Sequence, residues 1–178
     1  MLDAAEALFA AAGFEGASLD RIAADSGHSV GSIYNLFPNK DAVYAAVLER
    51  PARLLVEHLA ECAAARGTGL DTVLAMAATA IRDMRAFPDH ARTRLAAPSS
   101  TSHREATGAM LDHYAGAIRR GQADGTVRAG DAADLARYVG GLISAHIHVD
   151  PEIAGRSGTT SLTDFLDVVR GAFAAPSA

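Results

Sequence analysis

Residues 18–40 read SLDRIAADSGHSVGSIYNLFPNK, and this stretch decides the fold. It predicts two short helices joined by a tight turn. Ser18 stands where an N-cap belongs, before Leu19, Ile22 and Ala23 at helical spacing. Gly27 ends that helix, since glycine accepts the left-handed conformation of a helix C-terminus. Ser29 caps the second helix, and Pro38 disfavours helical geometry at Phe37, so the helix closes there.

The second helix has two unlike faces. At 100° per residue Val30, Ile33 and Phe37 share one side, with Tyr34 at its edge, while Gly31, Ser32, Asn35 and Leu36 fall on the other. A face of glycine, serine and asparagine, low in bulk and charge, suits close approach to another surface. In a helix-turn-helix such a face meets base edges in the major groove. Asn35 can bond adenine, Ser32 several bases, and Leu36 a thymine methyl. An ordinary helical hairpin with a solvated face fits the two helices equally well.

A longer match separates these readings. AAEALFAAAGFEGASLDRIA (4–23), the turn SGHS and VGSIYNLFPNKDAVYAAV (30–47) contain G-F-x-x-x-S-x-x-x-I-A and S-x-G-x-x-Y-x-x-F-x-x-K. Residues 2–47 thereby resemble the DNA-binding domain of TetR-type (tetracycline-repressor-like) transcriptional regulators. The remainder fits that family only in organisation. The expected fold is all-α: a three-helix helix-turn-helix domain at 1–47, then a helical ligand-binding and dimerisation domain at 48–178.

Composition agrees. The chain has 178 residues, 49% hydrophobic and 6% aromatic with no Trp; alanine abundance favours closely packed helices over a β-sandwich. No apolar run reaches membrane-span length, and the start lacks the basic residues of a secretory signal. The single cysteine, Cys62, excludes an internal disulfide and suits a cytoplasmic location. Glu57 and Glu61 beside it argue for a structural thiol over a redox sensor.

Charge runs the other way. The net charge is −5, and in residues 1–48 Arg21 and Lys40 oppose Asp3, Glu6, Glu15, Asp20, Asp25 and Asp41, two minus six, or −4. Phosphate neutralisation supplies most non-specific DNA affinity, so this is an unfavourable balance. Helix N-termini at Ser18, Ser29 and Asn39 can offer N–H groups to phosphate instead. The resemblance also implies a basic arm before the first helix; the expectation is that the true start lies upstream or that a terminal segment is absent.

The first helix carries Leu2, Ala5, Leu8, Phe9 and Ala12 inward and ends at Gly13. Lys40 is the only lysine against fifteen arginines, and it sits in the first turn of the fourth helix, where a cation gains nothing from the helix dipole. A phosphate contact supplies a reason, and the resemblance implies the same for Lys40 and for the Tyr34 hydroxyl. His28, in the turn, meets phosphate or solvent. The candidate DNA-binding set is Ser18, His28, Ser29, Gly31, Ser32, Tyr34, Asn35 and Lys40.

The fourth helix is expected over 40–65, interrupted at Pro51, and Gly67-Thr68-Gly69 is the first linker. Further helices are predicted at 70–87, 89–97, 103–124, 131–149 and 161–174, with connections at 98–103 and 150–160. Candidate lining for an effector pocket is Met76, Met84, Phe87, Met110 and Tyr114, with Arg94 and Tyr114 as polar anchors. A solid core explains the apolar members as well. The last two helices are broadly apolar; Gly140 and Gly141 would let another helix come close, and the resemblance implies that the two helices pair with their copies in a homodimer. Leu142, Ile143, Phe165, Leu166, Val169 and Phe173 are the candidate interface, unless they finish the single-chain core.

The seven histidines lack ligand spacing: His146 and His148, two apart on a helix, point to different sides, so no metal is expected. There is no glycine-rich phosphate loop, nucleophile elbow or oriented Ser–His pair, so neither catalysis nor a cofactor is expected. The expected function is a repressor that binds a palindromic operator in double-stranded DNA as a dimer and is released by a small molecule. The alternative is a helical small-molecule-binding protein with a degenerate helix-turn-helix and no operator.

Overall fold

Three side-chain caps set the N-terminal architecture. Ser18 Oγ accepts from Arg21 N at 3.2 Å, Ser29 Oγ from Ser32 N at 3.1 Å and Asn39 Oδ1 from Ala42 N at 2.9 Å. They open α2 (Leu19–Ser26), α3 (Val30–Leu36) and α4 (Lys40–Ala64), each satisfying an N–H that the helix itself leaves without a partner. α1 (Leu2–Gly16) is broken at Gly13, whose φ of 71° is the left-handed geometry that glycine permits. Gly27, at φ 69°, ends α2 and donates back to Ala24 O, while the His28 amide donates to Ala23 O.

The structure is a computed structural model that describes residues 1–86, 101–149 and 161–176. Eight helices lie in these segments, the last four being α5 (Gly69–Ala86), α6 (Thr101–Ala123), α7 (Ala132–Val149) and α8 (Leu162–Phe173). The expected helix at 89–97 and the connection at 150–160 fall outside the described residues; α6 begins two residues earlier than predicted and absorbs the end of the 98–103 connection. Asp131 caps α7 by accepting from the Ala133 and Asp134 amides, and Ser161 caps α8. No described helix is long and apolar enough to cross a membrane.

Two hydrophobic clusters hold the chain. The first gathers Ala5 and Phe9 of α1, Leu19 and Ile22 of α2, Ile33 of α3, and Val43, Tyr44, Val47 and Leu48 of α4. The second begins at Leu55 and Leu59 of the same α4 and extends through α5 to α8. α4 therefore belongs to both, and the changeover falls around Pro51. Contrary to the sequence expectation, α4 is not interrupted there. Proline removes one helical hydrogen bond, a loss of about 3 kcal/mol. Buried Leu48 and Leu55, one on each side, anchor the helix against that loss.

α4 and α6 run side by side in the same direction. At one end Leu48–Val56 faces Glu105–Met110; at the other Arg120 donates to Ala63 O at 2.6 Å and to Thr72 Oγ1 at 2.8 Å. The start of α5 crosses the end of α6 so closely that a Cβ on Gly69 would collide with the Gly121 backbone. Asp124 fastens this crossing by accepting from Gly69 N at 2.7 Å. Its hydrogen bonds to Thr126 and Gly69 hold the carboxyl below its ordinary pKa.

Candidate nucleic-acid interface and effector cavity

Ile33, 1% exposed, fixes α3 to the N-terminal cluster and turns the opposite face outward. Gly31, Ser32, Asn35, Tyr34 (55% exposed) and Leu36 (66%) all lie on the surface. The face carries hydroxyl, amide, phenol and apolar groups and no formal charge. Ser32 Oγ stands 2.7 Å from Ser29 Oγ, so the two hydroxyls share a hydrogen bond next to the cap. Gly31 has room: an added Cβ would meet only Ser29 Oγ, at 3.9 Å. Among the described residues nothing therefore demands glycine there, although it costs about 0.5–1 kcal/mol relative to alanine in a helix.

Around this face, exposed His28 donates through Nδ1 to Ser26 O at 2.9 Å. Arg21, the one arginine in residues 1–48, pairs with Asp25 at 3.1 Å along α2. Lys40 makes contacts within the protein that its sequence neighbours do not suggest. Its Nζ donates to Phe14 O at 2.7 Å and Ala17 O at 3.1 Å and rests 4.3 Å from the centre of the Phe14 ring. The cation at the start of α4 is explained by the end of α1: it ties down the chain between α1 and α2. Two of its three N–H bonds are thereby used within the protein.

The candidate pocket residues separate. Met76, Met84 and Tyr114 are fully or almost fully buried in the second cluster. Met110 lines a cavity of about 340 Å³ between α4 and α6, walled also by Leu48, Ala52, Leu55 and Val56 of α4 and by Ala106 and Ala109 of α6. Glu49, Arg53 and Glu105 are its charged members. Phe87 and Arg94 lie outside the described residues. The α4 wall escaped the sequence reading because its leucines and valine repeat like any core stripe.

The interface candidates are largely buried within the single chain. Ile143, Phe165, Val169 and Phe173 are between 0 and 6% exposed and belong to the core of a single chain; Leu142 and Leu166 pack against it. The outward faces of α7 and α8 instead carry Tyr138 (66% exposed), Val149 and Val168 (58%), with small residues Gly141 and Ala172 between them. Gly141, Tyr138 and Ala172 line a groove between the two helices, together with the edges of Leu142 and Phe173. His146 is buried and stacks on Phe165 at 4.3 Å. Among the described residues no three His, Cys, Asp or Glu side chains converge as metal ligands would.

A capped two-helix turn with an exposed second helix, set on a helical body, defines a DNA-binding regulator of the helix-turn-helix class. Residues 1–47 match the model of bacterial regulatory proteins of the tetR family, so the chain carries that family's DNA-binding domain. No curated protein sequence matches the chain. Solved structures resemble it over nearly its whole length. SmeT, repressor of the Stenotrophomonas maltophilia multidrug efflux pump SmeDEF, aligns at TM-score 0.76 and 26% identity, covering 97% of this chain and 88% of its own. The fatty acid degradation regulator FadR of Bacillus halodurans aligns at 0.79 and 18%, covering 96% and 94%. PfmR, a TetR family transcriptional regulator of Thermus thermophilus, aligns at 0.77 and 18%, covering 96% and 93%.

Proposed function

We propose that this chain is a ligand-responsive transcriptional repressor that binds a palindromic operator as a homodimer and releases it when a small molecule binds the helical body. In this reading residues 1–47 form the DNA-binding unit and 48–178 the ligand-binding and dimerisation part, acting in the cytoplasm where the DNA is. The observation that carries it is the outward face of α3, which is uncharged, rich in hydrogen-bonding groups and free of bulk at Gly31. Asn35 and Ser32 read bases, Tyr34 and the caps at Ser18 and Ser29 meet phosphates, and Lys40 holds α1 against α2 so that α3 is presented rigidly.

Dimerisation runs through the outward seam of α7 and α8, with Tyr138 and Val168 as its apolar anchors. Two-fold symmetry then requires a two-fold operator, with half-sites about 34–36 Å apart or a multiple of it. The likeness to SmeT, a repressor, supports the sign of regulation. The test is selection of DNA fragments by the purified protein at low salt: an enriched palindromic motif is the expected result, and its absence removes the specific-regulator reading. The acidic balance of residues 1–48 favours one competitor, a helical sensor that binds its ligand and holds no operator.

A further inference from the structure

The Tyr114 hydroxyl is completely buried, and among the described residues no donor or acceptor reaches it. A buried hydroxyl without a partner carries a desolvation cost that the apolar packing of its ring does not require, since phenylalanine would supply the same ring. Cys62 Sγ of α4 and Thr79 Oγ1 of α5 pair with each other at 3.5 Å.

The cavity between α4 and α6 lies on the same two helices. Met110, in its wall, precedes Tyr114 by one turn of α6, about 6 Å along the axis. Leu55, also in its wall, precedes Leu59 and Cys62 on α4. Met110 has an unbranched, adaptable side chain and packs against the buried cluster without being sealed inside it. Helical spacing puts Tyr114 on the same face of α6 as Met110, one turn beyond the cavity wall.

We infer that this cavity takes a neutral, elongated apolar molecule with one terminal hydrogen-bond acceptor, a ketone, aldehyde or ester carbonyl, and that the Tyr114 hydroxyl donates to it. The inference rests on the reading of the helical body as the effector-binding part and names the effector's class. Neutrality follows from the surroundings. Tyr114 belongs to the same buried apolar cluster as Leu59, Met76, Ile81, Met84 and Ile118, where an ion would lose its hydration and, among the described members, meet no counter-charge. Burial also pushes the phenol pKa up from its ordinary value, so the group stays a donor throughout the physiological range.

The test uses the full chain without DNA, so its failure leaves the DNA-binding reading standing and is distinguishable from failure to select an operator. Calorimetry compares methyl hexyl ketone, the alkene in which a methylene replaces the ketone oxygen, heptylammonium and heptanoate. The ketone is expected to bind about tenfold more tightly than the other three, the advantage of one hydrogen bond. In Tyr114→Phe the ketone and the alkene should bind equally, and the unliganded variant should melt no lower than the wild type. Tightest binding by either ion would put the polar end at Glu49, Arg53 and Glu105 and overturn the inference. So would equal binding of ketone and alkene to the wild type, a Tyr114→Phe variant that melts lower, or no binding by any of the four.

Discussion

Replacing Lys40 with methionine separates two roles that a lysine near DNA can play. Methionine keeps an unbranched apolar stem beside Phe14 and removes the ammonium that donates to Phe14 O and Ala17 O. A hydrogen bond from a charged group contributes about 1.5–3 kcal/mol, and the cation over the ring about 0.5–1 kcal/mol. Lys40 is half-buried, so water reaches the freed carbonyls and the lower end of each range applies. The two hydrogen bonds and the ring contact together give an expected loss of about 3.5 kcal/mol, which at a urea dependence of about 2 kcal/mol per molar moves the unfolding midpoint of the N-terminal unit down by about 1.8 M. The assay is urea unfolding of the free protein followed by circular dichroism, beside operator binding at several salt concentrations. A lysine acting only on phosphate predicts the opposite pattern: an unchanged midpoint and a salt slope lowered by about one. That result would refute the structural role derived for Lys40.

Asn35→Ala should relax base preference at one position of each half-site and weaken operator binding by about 1–3 kcal/mol without altering stability, measured by binding to a set of single-base operator variants. Val168→Glu, alone or with Tyr138→Glu, should give a folded monomer that binds DNA poorly, whereas the same change at buried Val169 should unfold the body; sedimentation and circular dichroism distinguish the two. His58 donates to Asp83 at 2.9 Å across α4 and α5, and that hydrogen bond, assisted by Glu61 and Glu57 against desolvation, raises its pKa from 6.5. A raised folded pKa stabilises fully below the unfolded value and is lost as pH rises through the folded one, so the stability gap between wild type and His58→Gln should be wider at about pH 6 than at about pH 8. A gap that is the same at both pH values would show that protonation of His58 is not coupled to folding.

What the sequence made legible follows the range of the interactions. Caps act over three residues, so Ser18, Ser29, Asn39 and Gly27 could be read directly from their neighbours. Helical stripes act over one element, and every predicted helix in the described segments is present within three residues of its expected ends. Lys40 could not be read in this way, because its acceptors lie 26 and 23 residues upstream and are backbone atoms that carry no sequence signature. The same holds for the Gly69–Gly121 crossing and for Arg120 reaching Ala63. On α7 and α8 the period identifies apolar faces without saying which points inward. The bulkier stripe of Phe165, Val169 and Phe173 fills the core, and the sparser one of Tyr138, Gly141 and Val168 is left outside.

The proposed regulator has one element on which both of its sites act. α4 is 25 residues long, about 37 Å at 1.5 Å per residue. Its far part is pinned by His58 to α5, and Arg120 of α6 holds Ala63 at its end. Its near end begins with Lys40, which grips the α1–α2 turn and so carries the helix-turn-helix with it. Between these fixed points Leu48, Ala52 and Leu55 form one wall of the α4–α6 cavity, at the place where the two hydrophobic clusters change over. In the proposed regulator, a molecule that filled the cavity would push on a lever supported at its far end. From His58 to Lys40 is 18 residues, about 27 Å, so a tilt of about 5° moves Lys40 by about 2 Å. In a two-fold dimer both recognition helices move, and their spacing departs from the roughly 34–36 Å repeat by up to about twice that distance. The effector need only favour the displaced spacing by about 1.4 kcal/mol to lower operator affinity tenfold, less than the worth of a single well-buried side chain in the cavity wall.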